Sequence, residues 1–249
     1  TGAADGSPPE RGTAGSTTLV LQTVLPALLF SSGPSEVEVL GGTYNPQAPG
    51  FEFFEQAFLS VLRRMKARVT AKHLRPGFYP KGGGRLILSL EPLQALEAID
   101  LLNRGRLMEI RGSVRVYHLP RHIAERENRV LRGCLKEFLS RCLADGTEER
   151  QDLRKQLKRL ASCLQIEEKA TALSPGNVVQ LVVRCEGITE VFTGLGERGL
   201  RAEIVAEGVS KAFETWYVSG APVGPYLADQ LLLPFALAGG GSFRTEPLS

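Results

Sequence analysis

The stretch Phe51-Glu-Phe-Phe-Glu-Gln-Ala-Phe-Leu-Ser-Val-Leu-Arg-Arg-Met-Lys66 places Phe51, Phe54, Phe58, Val61, Leu62 and Met65 at spacings of three and four. Such spacing predicts an amphipathic helix over 51–66, with an apolar stripe that must be buried. Arg63, Arg64 and Lys66 fall in its last turn, where cations complement the helix dipole. Outward from it, Glu36 to Leu40 mostly alternates polar and apolar and predicts a strand, closed by Gly41-Gly42-Thr43. Arg68 to Leu74 and Arg85 to Leu90 predict two more strands, parted by a Pro/Gly loop from Arg75 to Gly84. Strand, helix, strand, strand in that order is an α+β unit with helices packed on one face of a sheet.

Upstream, residues 1–15 are rich in Gly, Ala, Ser and Pro and read as a flexible N-terminal segment. Gly15-Ser-Thr-Thr then opens an apolar run to Phe30, where Ser16 or Thr17 can cap a buried helix. Pro26 and the lack of a basic leader argue against a signal peptide. Downstream, Asn103-Arg-Gly-Arg106 marks a boundary. After it the pattern predicts a strand (Leu107 to Tyr117), a charged helix (Pro120 to Leu143) and a polar stretch (Ala144 to Arg159) that reads first as a solvated helix with a narrow seam of Leu153, Leu157 and Leu160 and second as an RNA-binding arm. Two strands (Cys163 to Thr171 and Val178 to Arg184) and a helix from Arg201 to Tyr217 follow, the latter striped by Val205, Val209, Ala212, Phe213 and Trp216.

A chain of 249 residues with 43% apolar side chains has material for one large domain or two smaller ones. No apolar run approaches eighteen residues, so no segment reads as spanning a membrane. A net charge of +3 neither demands nor excludes an RNA partner. Cys134, Cys142, Cys163 and Cys185 form no CxxC pair and have no His at zinc spacing, which fits reduced thiols in a cytoplasmic protein and no metal site.

Four features bear on chemistry. The loop His73-Leu-Arg-Pro-Gly-Phe-Tyr-Pro-Lys-Gly-Gly-Gly84 lacks the P-loop pattern; it reads first as a tight bend and second as a phosphate contact through Arg75 and Lys81. The turn Gly41-Gly-Thr-Tyr-Asn-Pro-Gln-Ala-Pro49 reads as a proline-stiffened loop in which Asn45 or Gln47 satisfies backbone groups. His73, His118 and His122 belong to no triad or HExxH pattern and read as structural. If a helix starts near Pro225, Tyr226, Asp229 and Gln230 share a face: a ring for stacking, a carboxylate for ribose and an amide for a base edge. The plainer reading is an Asp that complements the helix dipole.

Taken together, GTAGSTTLVLQTVLPALLF (12–30), GGTYNPQAP (41–49), HLRPGFYPKGGG (73–84), LPRHIAERE (119–127) and GAPVGPYLADQLLLPFALAGGGSF (220–243) resemble the RNA 3'-terminal phosphate cyclase family. The resemblance implies a ligase of RNA processing that uses ATP with Mg2+ or Mn2+ and acts on RNA 3'-phosphate ends. A histidine attacks the α-phosphate of ATP and is adenylated, AMP passes to the RNA 3'-phosphate, and the neighbouring 2'-hydroxyl closes a 2',3'-cyclic phosphate as AMP leaves. It also implies a large domain of repeated α/β units with a smaller inserted α/β domain. On this chain that gives 16–103 and 220–249 to the large domain and 104–219 to the insert. Carried over by motif, Gln22, Pro49, Phe53, Tyr226, Leu227, Ala228, Asp229 and Gln230 are the expected ATP-contacting residues, with Pro49 and Tyr226 sandwiching adenine.

The family's adenylated histidine is expected just after Ser249, in a strand beyond the GGGSF turn, so no catalytic residue is assigned within the chain. A first repeat with a GEGGGQ-like turn also has no counterpart. The chain therefore reads as truncated at both ends, with impaired activity and exposed apolar surface prone to aggregation. The alternative is a non-catalytic cyclase-like protein that binds RNA or ribosome-assembly partners; the Gln22, Pro49 and YLADQ set favours the catalytic branch.

Overall fold

The computed structural model describes residues 14–144 and 150–247, so most of the N-terminal segment expected over 1–15 lies outside the described residues. The first unit runs α1 (Thr17–Leu29), β1 (Ser35–Gly41), a π-helical turn (Phe53–Phe58) continuing as α2 (Leu59–Arg64), β2 (Arg68–Arg75) and β3 (Gly84–Glu91). β3 lies between β1 and β2, antiparallel to both. Burial alternates along β1, as a sheet covered on one face requires.

The predicted helix forms, with one departure. The Leu59 N–H reaches back to the Phe54 carbonyl, five residues away. The wider turn rotates the helix face, so Phe53 joins Phe54, Ala57, Phe58, Leu59, Val61, Leu62 and Met65 in the core.

Beyond β4 (Asp100–Leu101) comes a second unit: β5 (Leu107–Tyr117), α3 (Arg121–Ala144), α4 (Arg150–Cys163), β6 (Leu164–Lys169), β7 (Gly176–Cys185), β8 (Thr189–Leu195) and α5 (Ala202–Ser219). Its sheet runs β6-β5-β7-β8, with β5 parallel to β6 and the other pairs antiparallel. β5 and β7 are the two central strands, and β7 is buried along most of its length. α6 (Pro225–Leu237) and β9 (Ser242–Phe243) complete the chain, and β9 pairs in parallel with β4.

The pattern missed β8 and the two-residue strands β4 and β9. In α5 the buried stripe is Val205, Ala206, Val209, Phe213, Trp216 and Tyr217, whereas Ala212 is exposed. Of the leucine seam on α4, Leu153 is buried, and the side chains of Leu157 and Leu160 lie outside those described.

One contiguous apolar cluster runs through both units, from Leu21 and Phe54 to Val183, Phe213 and Trp216. The chain leaves the first unit and returns at one place. The Arg104 guanidinium lies 4.2 Å from the Tyr217 ring centroid and donates to the Tyr217 carbonyl at 2.7 Å. Arg244 donates to the Gly220 carbonyl at 2.6 Å, and its backbone N–H to Leu101 at 3.1 Å.

Candidate functional site

The start of α1 is built by short-range bonds. Ser16 caps the helix by accepting from the Leu19 N–H at 3.3 Å. The Thr17 N–H and hydroxyl both donate to the Gly42 carbonyl, at 2.9 and 2.8 Å. The Asn45 amide donates to the Ala14 carbonyl at 2.5 Å and so satisfies backbone of the segment before α1, while Gln47 is exposed.

Two bonds then gather residues distant in sequence. The Thr18 hydroxyl donates to the Pro49 carbonyl at 2.6 Å. One turn further along α1, the Gln22 amide donates to the Gln230 side-chain carbonyl at 2.5 Å. Residues from α1, the 41–49 turn and α6 therefore meet at one surface.

α6 begins with Pro225 at its first position, where a missing N–H costs nothing. Tyr226 and Asp229 are exposed on it, Tyr226 by 79%, and Gln230 is partly buried against α1. Leu227 and Ala228 point into the core, and so does Phe53. Glu190 of β8 anchors the helix start by accepting the Gly224 N–H at 2.7 Å. Burial pushes the Glu190 carboxyl up to about 8, against the pull of the Gly224 N–H, and Glu246 adds to the rise.

A buried polar network lies three residues past Pro49. Arg115 of β5 pairs with Glu52 at 2.6 Å. Glu52 also accepts from the Tyr44 hydroxyl at 2.8 Å and from the Gln180 amide at 2.7 Å. Burial by itself raises the Glu52 carboxyl, but Arg115 with the Gln180 and Tyr44 bonds more than offsets this and holds it below its usual range. His73 packs edge-on against Tyr44 and at a tilt against Phe51, and bonds the Thr43 hydroxyl at 3.1 Å. Burial lowers its imidazole to about 4, so the ring is neutral at pH 7.

The RNA 3'-terminal phosphate cyclase family model matches residues 8–249. The chain belongs to this family. Proteins named RNA 3'-terminal phosphate cyclase from Pseudomonas fluorescens, Ectopseudomonas mendocina and Koribacter versatilis are 46%, 42% and 40% identical to it. The matches cover 94%, 96% and 93% of this chain and 62%, 63% and 59% of those proteins. The chain thus spans about three fifths of the length of these relatives.

Of the cyclase residues expected from sequence, Gln22, Pro49 and Gln230 are joined by the bonds through α1, and Tyr226 and Asp229 stand beside them on α6. Phe53, Leu227 and Ala228 form the wall beneath, contributing packing and no exposed side chain. Sequence reasoning missed Thr18, Glu190 and the Glu52–Arg115 pair, whose partners lie 31, 34 and 63 residues away. The only local signal was the hydroxyl run Ser16-Thr-Thr18. Arg75 donates to the Gly83 carbonyl, which makes it a brace of its own loop, and Lys81 is exposed.

Proposed function

We propose that the whole protein carrying this chain converts an RNA 3'-terminal phosphate to a 2',3'-cyclic phosphate, using ATP, as the names of its relatives suggest. The observation that carries this reading is the pair of bonds Thr18–Pro49 and Gln22–Gln230, which brings the residues expected at the nucleotide to one surface. An exposed aromatic ring, an exposed carboxylate and a linked amide pair suit the chemistry of adenosine: stacking, ribose hydroxyls and a base edge.

In this reading Tyr226 and Pro49 hold the adenine, Asp229 takes ribose hydroxyls, and Gln22 and Gln230 orient one another beside them. Phe53, Leu227 and Ala228 hold the surface rigid from below. ATP, when bound, supplies the adenylyl group that makes the RNA phosphate a better electrophile. Among the described residues no three His, Cys, Asp or Glu side chains converge as a cation site, so Mg2+ or Mn2+ is assigned no ligand here.

The histidine proposed to carry AMP is none of the three in this chain. His73 is buried and bonded to Thr43, His118 bonds the Ala172 carbonyl at 2.7 Å, and His122 projects from α3 in the second unit. Residues 104–219 are proposed as an inserted domain, on the strength of the Arg104–Tyr217 closure between its two ends.

Intact-mass and peptide mapping of the whole protein after incubation with ATP and magnesium tests the reading, alongside conversion of a 3'-phosphorylated RNA. An AMP adduct outside His73, His118 and His122, weakened in Tyr226→Ala, is the expected result. Absence of both adduct and cyclic phosphate overturns the function, and an adduct on any of the three overturns the assignment of the nucleophile.

A further inference from the structure

The face of the β6-β5-β7 sheet turned toward the π turn is polar and partly open. It forms a groove of about 870 Å³ lined by five arginines and three glutamates. Strand register places Gln165, Ser113 and Gln180 side by side across three strands. Arg115 follows two residues along β5 on the same face; Arg111 lies two residues the other way, and Arg184 lies at that end of β7.

Two residues in the groove are nine-tenths or more buried, and each holds a side-chain polar atom with no hydrogen-bond partner among the described residues. Arg115 Nε–H is a charged donor and Gln180 Oε1 is a neutral acceptor. Orphaned groups of this kind are costly, and a ligand that satisfies both must offer an anionic oxygen and a hydroxyl or amino hydrogen. A ribose-phosphate backbone offers the first two in every repeat. Exposed Arg111 is paired with half-buried Glu109, at 2.9 Å, a contact weak enough to exchange for phosphate.

The groove is tied to the nucleotide surface by a short segment. The Pro49 carbonyl accepts from Thr18 on one side, and the Glu52 carboxylate accepts from Arg115 and Gln180 on the other. We propose that this sheet face is a track for the single-stranded body of the RNA, with Arg111, Arg115 and Arg184 on phosphates and Gln180 on a 2'-hydroxyl. The proposal rests on the RNA reading above and adds the place where the strand lies.

The test uses the whole protein and a short 3'-phosphorylated oligoribonucleotide, with binding read by fluorescence anisotropy over a range of salt. Arg111 and Arg184 are exposed, so the double variant Arg111→Ala/Arg184→Ala keeps the fold. It should weaken binding on the order of tenfold and reduce the salt slope by about two. Self-adenylylation by ATP, which needs no RNA, should be unchanged. Unchanged RNA affinity with intact adenylylation overturns the track and leaves the proposed function standing. Failure of wild-type protein both to self-adenylylate and to form the cyclic phosphate overturns the function, and RNA affinity of the double variant still decides the track. The same sequence as DNA should bind more weakly; equal affinity overturns the hydroxyl contact assigned to Gln180.

Discussion

Glu190 shows how one side chain links folding to the site. Its carboxyl is buried and accepts the N–H at the start of α6, and burial keeps its proton to about pH 8. The unfolded chain releases that proton near 4.5, so between these values the folded state binds one proton more. The contribution of Glu190 to stability therefore falls as pH rises from 4.5 through 8, by up to about 1.4 kcal/mol per unit. Glu190→Gln keeps an oxygen for the Gly224 N–H and has no proton to lose. Urea midpoints at pH 5 and pH 8 should lie closer together in this variant, and an unchanged gap would falsify the role given to burial. His73 works in the opposite sense: its folded value, about 4, lies below 6.5, so its contribution is lost as pH falls from 6.5 toward 4. Which polar residues would be buried was not legible in the sequence. Glu52, Arg115 and Gln180 sit in ordinary-looking contexts, and only the fold brings them together.

At the scale of elements, local chemistry predicted most of what formed. Ser16 caps α1 as its hydroxyl allows, and Ser16→Ala should cost about 1 kcal/mol in a denaturant titration. The glycine loop 76–83 is a harder test of the tight-bend reading. A Cβ on Gly77 would lie 2.2 Å from the Gly41 carbonyl and 2.4 Å from the Gly84 N, both backbone atoms that cannot swing away. Gly77→Ala should therefore destabilise by about 1–3 kcal/mol. Gly33→Ala, with nothing within 4 Å of its Cβ, should be neutral or slightly stabilising. Equal midpoints for the two variants would remove the close approach as the reason for that glycine. The elements missed from sequence were β8 and the short pair β4 and β9. β8 lies one tight turn after β7, and two residues carry no periodicity to read.

At the scale of the whole molecule, Arg104 closes the segment between residues 104 and 219. It lies over the Tyr217 ring and 5.3 Å from the ring of Trp216, the single tryptophan of the chain. Because one apolar cluster runs through both units, tryptophan fluorescence and far-UV dichroism should report one coincident transition. Arg104→Ala should lower the midpoint and destabilise the fold by about 2 kcal/mol, and Arg104→Lys should recover only part of that. Two separated transitions in the unaltered protein would mean that the shared core does not couple the units. Among the described residues no helix is long and apolar enough to cross a membrane, in keeping with the apolar runs of the sequence. The sequence by itself determined the family, the α+β class and the helix that carries Tyr226, Asp229 and Gln230, because motifs and periodicity are local properties of the chain. Only the tertiary structure decided that Gln22 meets Gln230, that Leu227 and Ala228 face the core, and that Glu190 holds α6. Those facts depend on contacts between residues up to 208 positions apart, which no local pattern encodes.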